Sequence, residues 1–115
     1  MDSLVYEKSK DFAVSIVQLC QYLKTEKKEH VLSKQLLRAG TSIGANIKES
    51  LYAQSKSDFA SKMNIALKEA SETEYWLDLL CKTEYISLMV YEKTHSDCVE
   101  LIKMLTSIVK NSKEK

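Results

Sequence analysis

With 115 residues the chain has room for one domain and a single modest core. It holds no proline and only two glycines, Gly40 and Gly44, which argues against a many-turned β protein and for a few long helices. Charged residues at 29% against 44% hydrophobic suit an amphipathic helical protein, and a net charge of +1 neither demands a nucleic-acid partner nor forbids a local basic patch.

The three cysteines, Cys20, Cys81 and Cys98, are odd in number and lack C-x-x-C spacing. They fit a reducing cytosol better than a disulfide scaffold, and each sits on an apolar stripe as a small hydrophobe would. Residues Met1 to Lys8 show no basic region followed by an apolar run, so no signal peptide is expected. No apolar stretch approaches the roughly 18 residues that cross a bilayer. A cytoplasmic protein without a membrane partner is the expectation.

Four helices are predicted, at about 3–24, 33–54, 56–82 and 88–111, within one domain spanning 1–115. The first begins near Asp2 or Ser3, either of which can cap it. Its seam is Val5, Ser9, Phe12, Ile16, Leu19 and Leu23, flanked by Ala13, Val17 and Cys20. Thr25 to His30 has no apolar member and reads as an exposed charged connection.

The second helix turns Leu32, Leu36, Ala39, Ile43, Ile47 or Asn46, and Ser50 inward. Two glycines in its middle cost about 1 kcal/mol each relative to alanine, and something must offset that. Gly40 and Gly44 clear one face so that another backbone can approach, by the steric logic of G-x-x-x-G. The alternative is a kink or a break there.

Ser55 and Asp58 form a capping box for the third helix. Phe59, Met63, Ala66, Ala70, Thr73, Leu77 and Leu80 step by four and three along it, the rhythm of a helix packed in a bundle. A second stripe, Ile65, Glu69, Glu72 and Trp76, mixes an aromatic with carboxylates and calls for a neighbouring subunit. With the turn near Ser55, Arg38 should lie level with Glu72, Thr41 with Glu69, and Asn46 with Asn64. Ser87 caps the fourth helix, whose seam is Tyr91, His95, Cys98, Ile102, Leu105 and Val109, and residues 110–115 form a polar, frayed tail. Short links between four helices give an all-α, up-down-up-down antiparallel four-helix bundle.

The run Gln35-Leu36-Leu37-Arg38-Ala39-Gly40-Thr41-Ser42-Ile43-Gly44-Ala45-Asn46-Ile47 is more particular than a generic helix. Together with Ser55, Asp58-Phe59, Lys62, Ile65-Ala66, Lys68-Glu69-Ala70, Glu72-Thr73 and Tyr75-Trp76-Leu77, it resembles the bacterial "four helix bundle protein" family. That family was first noticed as reading frames inside intervening sequences of large-subunit ribosomal RNA genes. It is similar to the accessory variability proteins of diversity-generating retroelements. An older S23 ribosomal-protein label rests on gene location rather than chemistry. The resemblance implies a homopentameric ring with a central opening. In the retroelement relatives a basic surface binds nucleic acid and a partner protein, the reverse transcriptase.

Arg38, Gly40, Gly44, Glu69, Glu72 and Trp76 are therefore the candidate oligomer interface, since Trp and Arg are favoured anchors and a shielded Arg–carboxylate pair is directional. The competing readings are an exposed ion pair within one subunit for Arg38 and Glu72, and ordinary core for Trp76. Lys27, Lys28, Lys34, Lys48, Lys56 and Lys62 are the candidate RNA or DNA contacts, which would be salt-sensitive and sequence-blind.

Three places in the chain carry fragments of enzymatic chemistry. Glu92-x-x-His95 is half of a carboxylate-bridged metal site, but the second Glu-x-x-His is absent and His30 has no partner at that spacing. Cys98 lies three residues from His95 with nothing to stabilise an oxyanion. Gly40 to Gly44 lacks the Lys-Ser/Thr ending of a phosphate loop. The expectation is a non-enzymatic, oligomeric scaffold or accessory protein with no catalytic residue, metal or cofactor, and nucleic-acid binding as the alternative.

Overall fold

Every seam position expected in the first helix is buried, Val5, Ser9, Phe12, Ile16, Leu19 and Leu23, and these contribute one wall of the core. The computed structural model describes residues 3–113. It contains α1 (Ser3–Glu26), α2 (Leu32–Ser50), α3 (Lys56–Lys82) and α4 (Leu88–Lys113), with no strand among the described residues. This all-α arrangement is consistent with a four-helix bundle. α1 packs on α2 and α4, and α3 packs on α2 and α4, so the helices stand at the corners of a square. The long dimension is 47 Å and the other two are 20 Å. A cap from Asp2 lies outside the described residues, as do Glu114 and Lys115 of the expected tail.

Local chemistry sets the helix ends. The Ser55 hydroxyl accepts the Asp58 N–H at 3.0 Å, while the Asp58 carboxylate accepts the Gln54 N–H at 3.2 Å. α2 stops at Ser50, short of 54, because Leu51, Tyr52 and Ala53 tighten into bonds three residues back. α3 stops at Lys82, and just past its cap Thr83 the chain turns at Glu84, which takes the left-handed conformation at φ 66°. The Tyr85 N–H returns to the Leu80 carbonyl and the Glu84 N–H to Cys81, the pairing of a Schellman stop. The Ser87 hydroxyl accepts the Val90 N–H at 3.2 Å and caps α4.

Two expectations need correction. The α4 seam turns inward through Thr94, Cys98, Leu101, Leu105 and Val109, leaving Tyr91, His95 and Ile102 half-buried. Both stripes share Cys98, Leu105 and Val109, so spacing alone could not separate them. The connection before α2 is not uniformly solvated either. Glu29 is buried and accepts the N–H groups of Ser33, Leu32 and Val31 at 2.7, 3.0 and 3.2 Å. It stands where an anion is favoured, at the positive end of a helix. Burial alone would raise the Glu29 carboxyl, but these N–H groups and nearby His30 hold it below the usual carboxylate range.

Candidate functional site

α2 and α3 bring Arg38, Glu69, Glu72 and Trp76 together on one side of the bundle. The Arg38 guanidinium donates to both oxygens of Glu69, at 3.1 and 3.2 Å, and reaches Glu72 at 2.8 Å. Trp76 Nε1 donates to the other Glu72 oxygen at 3.0 Å, and its ring meets Tyr75 edge-on with centroids 4.9 Å apart. Trp76 and Arg38 hold Glu72 below its ordinary range, while the two carboxylates push Arg38 up. The Arg38 side chain remains 49% exposed, so this lattice is preorganised yet open to water. The Thr41 hydroxyl instead donates to the Leu37 carbonyl within α2.

Gly40 and Gly44 do not join that surface, which corrects their place in the candidate interface. Both are buried and turned toward α1. A Cβ on Gly40 would lie 2.8 Å from Ile16 Cγ2, and one on Gly44 would lie 3.1 Å from the Ser9 hydroxyl. The helix is continuous through both glycines. The close approach anticipated for them is made within the chain, and the interior cost of glycine is offset there by packing against α1.

The candidate lysines fall into two groups. Lys27, Lys28 and Lys34 surround the start of α2, and Lys48, Lys56 and Lys62 surround its end and the start of α3. Lys34 and Lys48 are roughly 21 Å apart at 1.5 Å per helical residue. In the second group Lys62 pairs with Glu49 at 3.1 Å, and Lys48 sits 5.4 Å from the Tyr6 ring centre and 5.9 Å from that of Tyr52.

The polar groups between α3 and α4 tie the helices to each other. His95 Nε2 meets Glu74 at 2.9 Å and stacks on Tyr91, whose hydroxyl donates to Asp78. That carboxylate, with burial, pushes the Tyr91 hydroxyl up to about 12. Among the described residues no group of three or more His, Cys, Asp and Glu is placed to hold a metal ion. The Cys98 thiol donates to the Ala70 carbonyl at 3.3 Å and burial pushes it up to about 12. Cys20 behaves alike, bonded to the Ser33 carbonyl and pushed up by burial to about 11. Thiols so placed stay protonated near neutral pH and are poor nucleophiles.

The sequence reading overlooked the side between α1 and α4. Val14, Val17 and Tyr22 on α1, and Leu88, Met89 and Val90 at the start of α4, are large apolar side chains left in water. Between the helices runs a furrow lined by Ser15, Leu19, Tyr22, Ile86, Val90 and Thr94 among others. The visible signal was three consecutive apolar residues opening α4, more than one helical face can bury.

Comparison with known proteins gives this fold a family. Residues 1–107 match the family described as 23S rRNA-intervening sequence protein. The chain belongs to this family. It is also similar to a solved structure from Bacteroides thetaiotaomicron, described as a protein of unknown function from the S23 ribosomal protein family. The two share 58% identity over 92% of this chain and 98% of that one, with a TM-score of 0.91. No curated protein matches. Neither description carries an enzymatic activity. Among the described residues no helix is long and apolar enough to cross a membrane.

Proposed function

We propose that the chain is a non-enzymatic cytoplasmic scaffold or accessory module that works as a homo-oligomeric ring of antiparallel bundles, five copies being the number the family resemblance implies. The order of cross-helix contacts supports the up-down-up-down path: Arg38 meets Glu69 and Glu72 while the later Glu49 meets the earlier Lys62. One observation carries the reading. Between α3 and α4 His95 is engaged by Glu74 and the Cys98 thiol by the Ala70 carbonyl, whereas large apolar side chains on α1, α3 and α4 stay exposed. Surface of that kind marks association. Light scattering should return a mass near five times the 13.2 kDa subunit, lowered by Trp76→Ala or Arg38→Ala. A wild-type mass of one subunit overturns the proposal.

RNA or DNA binding is the second reading. It is favoured by Lys27, Lys28 and Lys34, exposed at one end without a carboxylate within 4 Å among the described residues. A ring would repeat that end around its axis. Binding to generic single strands should weaken steeply as salt rises, and no binding at low salt disposes of it.

A further inference from the structure

The furrow between α1 and α4 is a continuous feature. One cavity includes Lys8, Ser15, Lys93 and Glu100; the next begins at Ser15 and reaches Tyr22 and Ile86; a third continues from Tyr22 to Leu88. From Lys8 to Tyr22 it runs roughly 21 Å along α1. Its rim is close to neutral: Lys8 pairs with Glu100 at 3.2 Å, Lys93 with Asp97 at 2.6 Å, and Lys27 is balanced by Glu84, leaving one carboxylate, Asp11. A partner selected by strong opposite charge has nothing to grip, and a nearly neutral copy of the same chain meets no repulsion.

The chain also carries a convex counterpart. The outward stripe of α3 runs through Ser61, Ile65 at 38% exposed, Lys68 and Tyr75 at 57% exposed, with half-buried Glu72 between the last two and half-buried Trp76 beside it. Ile65 and Tyr75 project from it as apolar knobs, and Lys68 adds a positive charge between them. We infer that the α1/α4 furrow of one copy seats the outward α3 stripe of the next. This rests on the oligomeric reading above and names the two surfaces it uses.

Size and direction agree with it. The furrow runs roughly 21 Å along α1, and the stripe from Ser61 to Tyr75 also runs roughly 21 Å along α3, so the two match in length. The two surfaces differ, so the contact is head-to-tail and every copy keeps one of each. α3 shares the side opposite α1 and α4 with α2 and stands at its α4 corner, so its outward direction is oblique to that of the furrow and each added copy turns by the same angle. Head-to-tail copies form a ring where that rotation completes a circle, and an open filament otherwise.

The test uses two double variants of the full chain, Tyr22→Lys with Val90→Lys on the furrow and Ile65→Lys with Tyr75→Lys on the stripe. All four side chains are at least 38% exposed, so circular dichroism should show the native helix content and a cooperative melt. If a lysine pair unfolds the chain, the corresponding serine pair replaces it. Each double variant alone should fall to the mass of one subunit by light scattering. Mixed one to one, they should form a species of two subunits, because each retains the surface the other lacks. A wild type that is monomeric overturns both this pairing and the oligomeric reading. A wild-type multimer whose mass survives the furrow substitutions, or a mixture that stays at one subunit, overturns the pairing alone.

Discussion

α1 meets its two neighbours on different terms. Toward α2 the contact is backbone-close, because Gly40 and Gly44 present no side chain and Ile16 and Ser9 fill the space. Toward α4 the helices stand apart over much of their length, leaving the furrow and bridging it with the Lys8–Glu100 pair. Residue size on one seam explains the other. Glycines draw α1 onto α2, and a helix drawn to one corner cannot also close on α4 without larger side chains there. Packing to interior density on one side and an open groove on the other follow from the same sequence.

The largest break in this comparison should come from filling the tight seam. A Cβ on Gly40 would stand 2.8 and 2.9 Å from Ile16 Cγ2 and Cγ1 and 3.3 Å from its Cβ, so the neighbour cannot yield by moving a flexible tip. Gly40→Val should lower stability by about 2–3 kcal/mol, since overpacking outweighs the roughly 0.3–0.5 kcal/mol of helix propensity gained when β-branched valine replaces a glycine. The midpoint of urea unfolding measures it. An unchanged midpoint would mean that α1 is free to move and that the seam is not close-packed.

The join between α1 and α2 comes next. Glu29→Gln leaves one oxygen to serve three N–H groups and removes the charge at the helix start, with an expected loss of about 1–2 kcal/mol at pH 7. The folded-state carboxyl is held below its unfolded value, so its contribution is complete above the unfolded range near ~4.3 and disappears as pH falls through the folded value. The stability difference between wild type and variant should stay level from pH 7 to about 5 and shrink below about 4. A gap that persists undiminished in acid would assign the effect to packing, not to the carboxylate.

These two residues also mark how far the sequence could be read. That a backbone approaches Gly40 and Gly44 was legible from spacing, because a glycine in a helix interior needs compensation. Which helix approaches was not, since the gap is the same whether α1 or another subunit fills it. Glu29 was hidden among charged neighbours, where only the chain's bend at Lys28, with φ 55°, turns its carboxylate onto the α2 start. Arg38 and Glu72 could be paired from a turn near Ser55, as the 2.8 Å contact bears out. The furrow was illegible for a different reason. Tyr22 and Val90 look like ordinary exposed positions until the distance between α1 and α4 is known.

Gly44→Ala should separate the two glycines. Its Cβ would lie 3.1 Å from the Ser9 hydroxyl and 3.6 Å from the Ser9 carbonyl, which requires a shift of a few tenths of an ångström and not a rebuilt seam. The gain of roughly 1 kcal/mol in helix propensity offsets that shift, so the net change should stay within about 0.5 kcal/mol. A loss as large as that of Gly40→Val would place the closest approach at Ser9 and not at Ile16.

The smallest effect is expected on the open side. Lys8 and Glu100 are 38% and 52% exposed, so water and salt screen their attraction and both side chains lose freedom to hold it. Lys8→Met keeps most of the aliphatic stem along the furrow and removes the charge, and thermal melting should shift by the equivalent of no more than about 0.5 kcal/mol. Repeating the melt at high salt should erase even that, because the screening length falls to about 3 Å near 1 M. A larger, salt-sensitive loss would mean that the ion pair holds α1 and α4 at their separation. The furrow would then be a strutted gap, and the glycines on the far side of α1 would no longer suffice to explain it.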